Sequence, residues 1–410
     1  MSKAMFSKIG LVLLATTAAG AAFSPAAYAT DGYQLVGIGQ YEMGLAGADV
    51  AAPGDPMTAI TNPAGVAWIP SQAAFSAEWF NPTRTDNFGF GPIGSHDNIY
   101  GVPSVGWVAP AFGKHFYFGG GMFATSGMGV NFLQSVPGAT VQAYSNIQFF
   151  SMSPALAWRP TRDWAFGVAL NVSLEQVALQ QTFNGVGLNL SSPSTAFGFG
   201  ASLGVLHRVN RYVTLGLMYR MPTYFNALTW QETSENFGGV AGNAGQYSTT
   251  LNYPQQISAG VAFHPTRQWL ISLEGQWINW SGTLNHMTIY GPWDGTSSVT
   301  MNTHWHDQFV FNIGMQYQVF KWLAIRGGYS WASCPIGDAD TPMNLLLPAC
   351  VDNTITIGAT EQLPMNWSLT EAYMHAFSAT INGGPLQPGM GNTSAELTEN
   401  SFGLQIGYQF

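Results

Sequence analysis

From Ser401 to Phe410 the chain alternates without a break. Phe402, Leu404, Ile406, Tyr408 and Phe410 fall on one face, and Ser401, Gly403, Gln405, Gly407 and Gln409 on the other. This is the period of a β-strand. The same period runs from Gln308 to Val319, with Phe309, Phe311, Ile313, Met315, Tyr317 and Val319 on one side and mostly Gln, Asn and Gly on the other. The chain is 46% hydrophobic, yet Gly, Ser, Asn, Gln and Thr interrupt each apolar stretch beyond the N-terminus. No run there reaches the ~18 apolar residues of a membrane-spanning helix. Only 8% of its residues are charged, against roughly 25% in soluble domains. The 14% aromatic content excludes a disordered chain. Apolar overall but nowhere continuously so, the sequence predicts an all-β fold: a transmembrane antiparallel β-barrel whose strands face lipid and lumen by turns.

Residues 1–29 have the features of an export signal, with Lys3 and Lys8, an apolar stretch from Ile9 to Ala22, and Ala27-Tyr28-Ala29 as cleavage site. Its apolar core is short for a membrane anchor, which needs about 20 residues. Two of the 12 basic residues lie in this leader, whereas all 21 acidic ones lie beyond it. An acidic mature chain argues against nucleic acid as a partner. Cys334 and Cys350 flank a Pro- and Asp-containing loop and are expected to pair in an oxidising compartment. Closing such a loop contributes on the order of 3 kcal/mol.

Short turns recur about every fifty residues. They lie at Lys114, Arg159 to Asp163, Arg208 to Arg211, His264 to Gln268 and Lys321, each with an aromatic just after it: Phe116, Trp164, Tyr212, Trp269 and Trp322. Such a ring suits one membrane interface, where amphipathic aromatics settle at headgroup depth. Longer connections rich in Gly, Asn, Ser and Thr are expected around 86–98, 128–143, 184–194, 227–248, 291–301, 333–350 and 383–399. Short turns at one end and long loops at the other are the barrel asymmetry. Segmenting residues 71–410 in this way gives about fourteen strands. A kelch-type propeller would need four short strands per repeat, where this chain offers two long ones and a loop. Residues 30–70 lack the alternation, contain Pro53-Gly54-Asp55-Pro56 and Thr61-Asn62-Pro63-Ala64-Gly65, and form either a tail or a plug.

In that segment the chain resembles the long-chain fatty acid transporter (FadL/TodX) family of outer-membrane proteins. Gly32-Tyr33-Gln34-Leu35, Gly44-Leu45-Ala46-Gly47-Ala48 and above all Asn62-Pro63-Ala64-Gly65 are similar to that family's N-terminal hatch. Pro254, Gly260, the Trp269 to Trp280 stretch, and Asp307 to Pro335 with Arg326-Gly327-Gly328-Tyr329 extend the likeness over the mature chain. The resemblance implies a bacterial outer-membrane barrel of fourteen strands (71–410) closed by a hatch (30–70). Passive uptake of hydrophobic compounds would follow, with capture in an apolar lumen pocket and lateral release into the membrane. It also implies an inward kink in the third strand.

The run Gly119-Gly120-Gly121, inside an aromatic strand, weakens pairing and invites a bend. It is the candidate lateral gate, an ordinary twist-relieving stretch being the alternative. Strand parity sends Arg220, Glu274 and Arg326 into the lumen, since charges on the lipid face cost about 2 to 4 kcal/mol at the midplane. They would either form an ion-pair network holding the hatch or meet a ligand carboxylate. His304 and His306 share a strand face but lack further ligands, so no metal is expected there, and no cofactor. No nucleophile–base constellation marks a barrel enzyme, and a general porin would want a charged lumen. The expected partners are membrane lipid and a hydrophobic ligand, with fatty acids and neutral or aromatic hydrocarbons both open. The chain is expected to act as a monomer.

Overall fold

The computed structural model describes residues 29–136, 139–183, 186–232, 236–237 and 240–410. The expected export signal therefore lies outside the described residues, except for Ala29. Fourteen strands build a closed antiparallel wall. They are β1 (Gln72–Phe88), β2 (Tyr100–Val108), β3 (Phe116–Val136), β4 (Ala139–Met152, resumed at Ala155–Trp158), β5 (Trp164–Phe183), β6 (Val186–Arg208) and β7 (Val213–Arg220). There follow β8 (Gln256–Phe263), β9 (Trp269–Ile278), β10 (Gln308–Phe320), β11 (Leu323–Ala332), β12 (Cys350–Gln362), β13 (Trp367–Pro385) and β14 (Asn392–Gln409). β14 closes the wall on β1 in one unbroken register from Gln72↔Gln409 to Phe88↔Thr393. Closure of this kind pairs the strand edges that would otherwise meet lipid, save where β2 and β3 part.

Parity explains why these segments are strands of a barrel. In β8 the exposed residues Ile257, Ala259, Val261 and Phe263 alternate with the buried Gln256, Ser258, Gly260 and Ala262. Outward aromatics gather near the short turns, where Trp269 lies 4.7 Å from Tyr317 and Trp367 5.0 Å from Tyr408, as expected of an interfacial girdle. Among the described residues no helix is long and apolar enough to cross a membrane.

Several expected loops are largely strand, among them 291–301, which lies in the strands Met287–Trp293 and Thr296–Met301. Residues 128–136 and 139–143 belong to the β3–β4 hairpin, and 186–194 to β6; the start of β14 likewise takes up 392–399. The cause is a reversal of polarity along each strand. Within the membrane the inward residues of β5 are small or polar, as with Ala165, Asn171 and Ser173. Further up they turn apolar, with Val177 and Leu179 buried beside Leu188 and Leu190 of β6 and Phe132 of β3. At about 3.3 Å per residue a 23-residue strand such as β6 greatly exceeds an apolar band ~25 Å tall. The hairpins thus project beyond the membrane and carry a water-excluding core of their own. Cys334 and Cys350 are bonded at the base of the β11–β12 loop, their Cα atoms 4.9 Å apart.

Residues 32–70 fold inside the wall as short helical turns, Gln40–Met43 and Thr58–Thr61, and a 3-10 turn, Pro63–Ala67. Their seats are lumen-facing glycines that pair across the wall: Gly167 with Gly204, Gly216 with Gly260, and Gly314 with Gly328. A side chain at Gly204 would overlap Asn62, one at Gly216 would overlap Val50, and a Cβ at Gly314 would stand 2.6 Å from the Leu45 carbonyl oxygen. Missing side chains let the hatch backbone touch the wall backbone.

Candidate functional site

β2 and β3 pair only from Ser104↔Phe123 to Val108↔Gly119. Beyond that point they part. Tyr100–Pro103 continue to pair with β1 alone, and β3 from Ala124 onward with β4 alone. Two local features keep the ladder from continuing. Pro103 has no N–H to donate, and β3 carries a bulge between Ala124 and Ser126, which turns a strand away from its neighbour. The exposed edge of β3 is taken by the hatch. Leu35 N–H donates to the Thr125 carbonyl at 3.4 Å, and Gly127 N–H donates to the Tyr33 carbonyl at 3.1 Å.

A cavity of about 280 Å³ lies behind this parting. It is lined from both edges, by Ile99–Val102 on one side and Ala124 and Ser126–Gly129 on the other. Tyr33 and Leu35 of the hatch, Phe80, Ile147, Phe150 and Leu397 make it largely apolar. At its polar end stand Arg84 and Glu399. Arg84 donates to the Tyr100 hydroxyl at 3.4 Å, to Asn98 Oδ1 at 3.2 Å and to the Asp97 carbonyl, while its Nε is buried without a partner. Above the pocket Tyr33 stacks on Phe149 at 5.3 Å and lies 4.4 Å from Trp280, itself 5.3 Å from Trp305. The Tyr33 hydroxyl is buried among these rings without a hydrogen bond, a costly arrangement that leaving the site would relieve.

Gly119, Gly120 and Gly121 lie on β3 just below the parting, which starts three residues beyond Gly121, at Ala124. Their ladder to β2 is intact. Facing β4, Gly120 and Gly121 oppose Ser153 and Pro154, where that strand is interrupted. Gly120 adopts φ 154°, a value that favours glycine.

Arg220, Glu274 and Arg326 all face the lumen, buried, but none lines the apolar pocket. Nor do they form a network with one another. Among the described residues the only ion pair is His304 with Asp340. Each instead holds the hatch or its surroundings. Arg220 donates to the Ile60 carbonyl at 3.1 Å, and Glu274 accepts the Val50 N–H at 2.8 Å. Arg326 donates to Gln316 and Thr360, each at 2.8 Å, and lies 4.3 Å from the Tyr41 ring centroid.

Asn62 is fully buried and ties two hatch segments together. Its amide donates to the Val50 carbonyl at 2.7 Å, and its Oδ1 accepts the Ala64 N–H at 3.1 Å, capping the 3-10 turn that Pro63 opens. Next to it Thr61 Oγ1 sits 2.5 Å from Asp49 and 3.1 Å from Glu42. Burial raises the Glu42 carboxyl well above the usual range, and raises Asp49 and Asp55 to about 6 each. Among the described residues no cluster of His, Cys, Asp and Glu could hold a metal ion.

Arg84 is the residue that sequence reasoning passed over. Its signal was parity, since it shares the inward face of β1 with Ser76 and Glu78, but an expected loop from residue 86 obscured how far that strand runs.

A family model described as outer membrane protein transport protein (OMPP1/FadL/TodX) matches residues 11–410. No curated protein matches. Among solved structures, a Pseudomonas aeruginosa FadL homologue is similar at TM-score 0.76 and 16% identity, covering 92% of this chain and 100% of that one. The P. putida toluene transporter TodX is similar at TM-score 0.74 and 16% identity, covering 92% and 99%. The Ralstonia pickettii toluene transporter TbuX reaches TM-score 0.71 at 18% identity, with the same coverages.

Proposed function

This chain belongs to the outer-membrane transport protein family OMPP1/FadL/TodX, and from that premise we propose that it carries small hydrophobic molecules inward without chemical change. Each would enter from the long-loop end, rest in the pocket beside Tyr33, and leave sideways between β2 and β3. One observation carries this reading: a single cavity touches both edges of the parted wall. A molecule leaving there crosses no backbone ladder. Its exit would lie level with the outward-facing Trp79, which pairs with Gly101.

Size favours a compact cargo. A dry apolar cavity of about 150 Å³ holds benzene, so 280 Å³ suits an alkyl-substituted ring, whereas an extended long acyl chain would require the pocket to lengthen. Affinity would come from burial, at about 0.8 kcal/mol per methylene. The toluene transporters named above share the fold, and their cargo accords with this reading. A second reading rests on Arg84, whose unpartnered Nε suits a fatty carboxylate.

Solvent extraction of the purified protein followed by mass spectrometry, with toluene and oleate binding measured beside it, tests both. The first reading expects toluene binding unaffected by Arg84→Gln. The second expects oleate binding weakened by that substitution. Steady large conductance in bilayers, or hydrolysis of a bound lipid, would overturn the transport reading itself.

A further inference from the structure

Below the hatch, at the short-turn end, lies a second cavity of about 870 Å³. The β6–β7 and β8–β9 turns bound it on one side, and the underside of the hatch at Tyr41, Ala52 and Trp68 on the other. Its charge is one-sided. Arg208, Arg211 and Arg267 line it, and no carboxylate does. Arg208 lies 4.9 Å from the Trp68 ring centroid, and Arg211 donates to the Tyr212 hydroxyl. Asp163, the one acid in the short turns, meets Arg208 only through its backbone carbonyl, which accepts the Arg208 N–H at 2.8 Å. In a chain of 12 basic and 21 acidic residues, three guanidinium groups around one hollow run against the composition. No residue lines both this cavity and the apolar pocket.

We propose that this vestibule binds a phosphate group, carried by a free solute or by a phospholipid headgroup of the inner leaflet. The guanidinium fork matches phosphate oxygens two at a time, and a concave site walled by protein focuses the positive field. The rim stands where phosphates lie. Tyr212 and Trp269, exposed beside these turns, mark the headgroup plane at the short-turn end, which in such barrels faces the periplasm.

The test is calorimetric titration of the detergent-solubilised protein with inorganic phosphate and, separately, with short-chain phosphatidylglycerol below its micelle concentration. A short-chain diacylglycerol serves as the phosphate-free control. Saturable binding of inorganic phosphate supports a free solute, and binding of the phospholipid alone supports a headgroup. The double variant R211Q/R267Q leaves Arg208 stacked on Trp68 and should bind at least about tenfold more weakly while keeping its affinity for toluene. Should that variant fail to fold, the salt dependence of the wild type decides, because affinity must fall as sodium chloride rises. Binding of neither probe, equal binding of the diacylglycerol, unchanged affinity in the folded variant, or binding indifferent to salt would each overturn the proposal.

Discussion

Asn62 does with one amide what two separate residues would otherwise have to do, and its replacement exposes the cost. In Asn62→Ala the Val50 carbonyl loses its side-chain donor and the buried Ala64 N–H its acceptor, at about 1–3 kcal/mol for each group left unsatisfied. Amide exchange at Ala64 should accelerate accordingly, while strands remote from the hatch exchange as before. Asp49 gives a second residue-scale expectation, with a definite sign. Its pKa is raised from 3.8 to about 6 by burial, so its contribution to hatch packing is fully present below pH 3.8 and is lost as pH rises through about 6. Glu42 beside it acts in the same direction. Protection factors at Val50 and Leu45 should therefore be larger at pH 4 than at pH 7. Asp49→Asn should raise the pH 7 values and flatten the difference; an unchanged slope in that variant would remove Asp49 from the account.

At the level of elements, a proline and a bulge stand where β2 and β3 part, and the glycine run lies just below them. Removing Thr125 while replacing Pro103 with Thr should let the β2–β3 ladder continue past Ser104↔Phe123. Uptake of a hydrophobic probe into proteoliposomes should then fall by about tenfold or more, with assembly intact; new inter-strand contacts in the NMR spectrum without loss of uptake would separate the parting from transport. The strands were legible in the sequence wherever one face was apolar without a break, as in β10 and in β14 from Ser401 onward. The bulge was not, because Ala124-Thr125-Ser126 has no composition that distinguishes it from ladder. The projecting halves of β3 to β6 were missed for a different reason. Their apolar residues move from the outer to the inner face where lipid ends, and a constant-parity reading takes that change for a loop. Parity did send Arg220, Glu274 and Arg326 inward, because a misplaced charge in lipid is expensive enough to enforce it. The partners of Arg220 and Glu274, however, are backbone atoms of a segment that has no period to read, and Arg326 bonds Gln316 and Thr360 of the wall.

For the molecule as a whole, hatch and wall are fitted through paired glycines, so wall substitutions should act as hatch mutations. Gly314→Val should press on the Leu45 backbone, unseat the hatch and raise ion conductance across a planar bilayer, whereas the same change at Gly101, which faces open space, should leave it low. Breaking the Cys334–Cys350 bridge should cost about 3 kcal/mol, confined to the β11–β12 loop and read as faster proteolysis there with the heat resistance of the barrel preserved. The two hydrogen bonds that bind residues 33–35 to β3 fasten the hatch to the strand edge at which the wall parts. Whatever lifts Tyr33 from among its neighbouring rings also uncovers that edge at Thr125 and Gly127. On the proposed transport reading, occupancy of the pocket and the width of the parting then share a single free energy, and by reciprocity a lipid environment that pries the two strands apart must also change the affinity for a bound hydrophobic molecule.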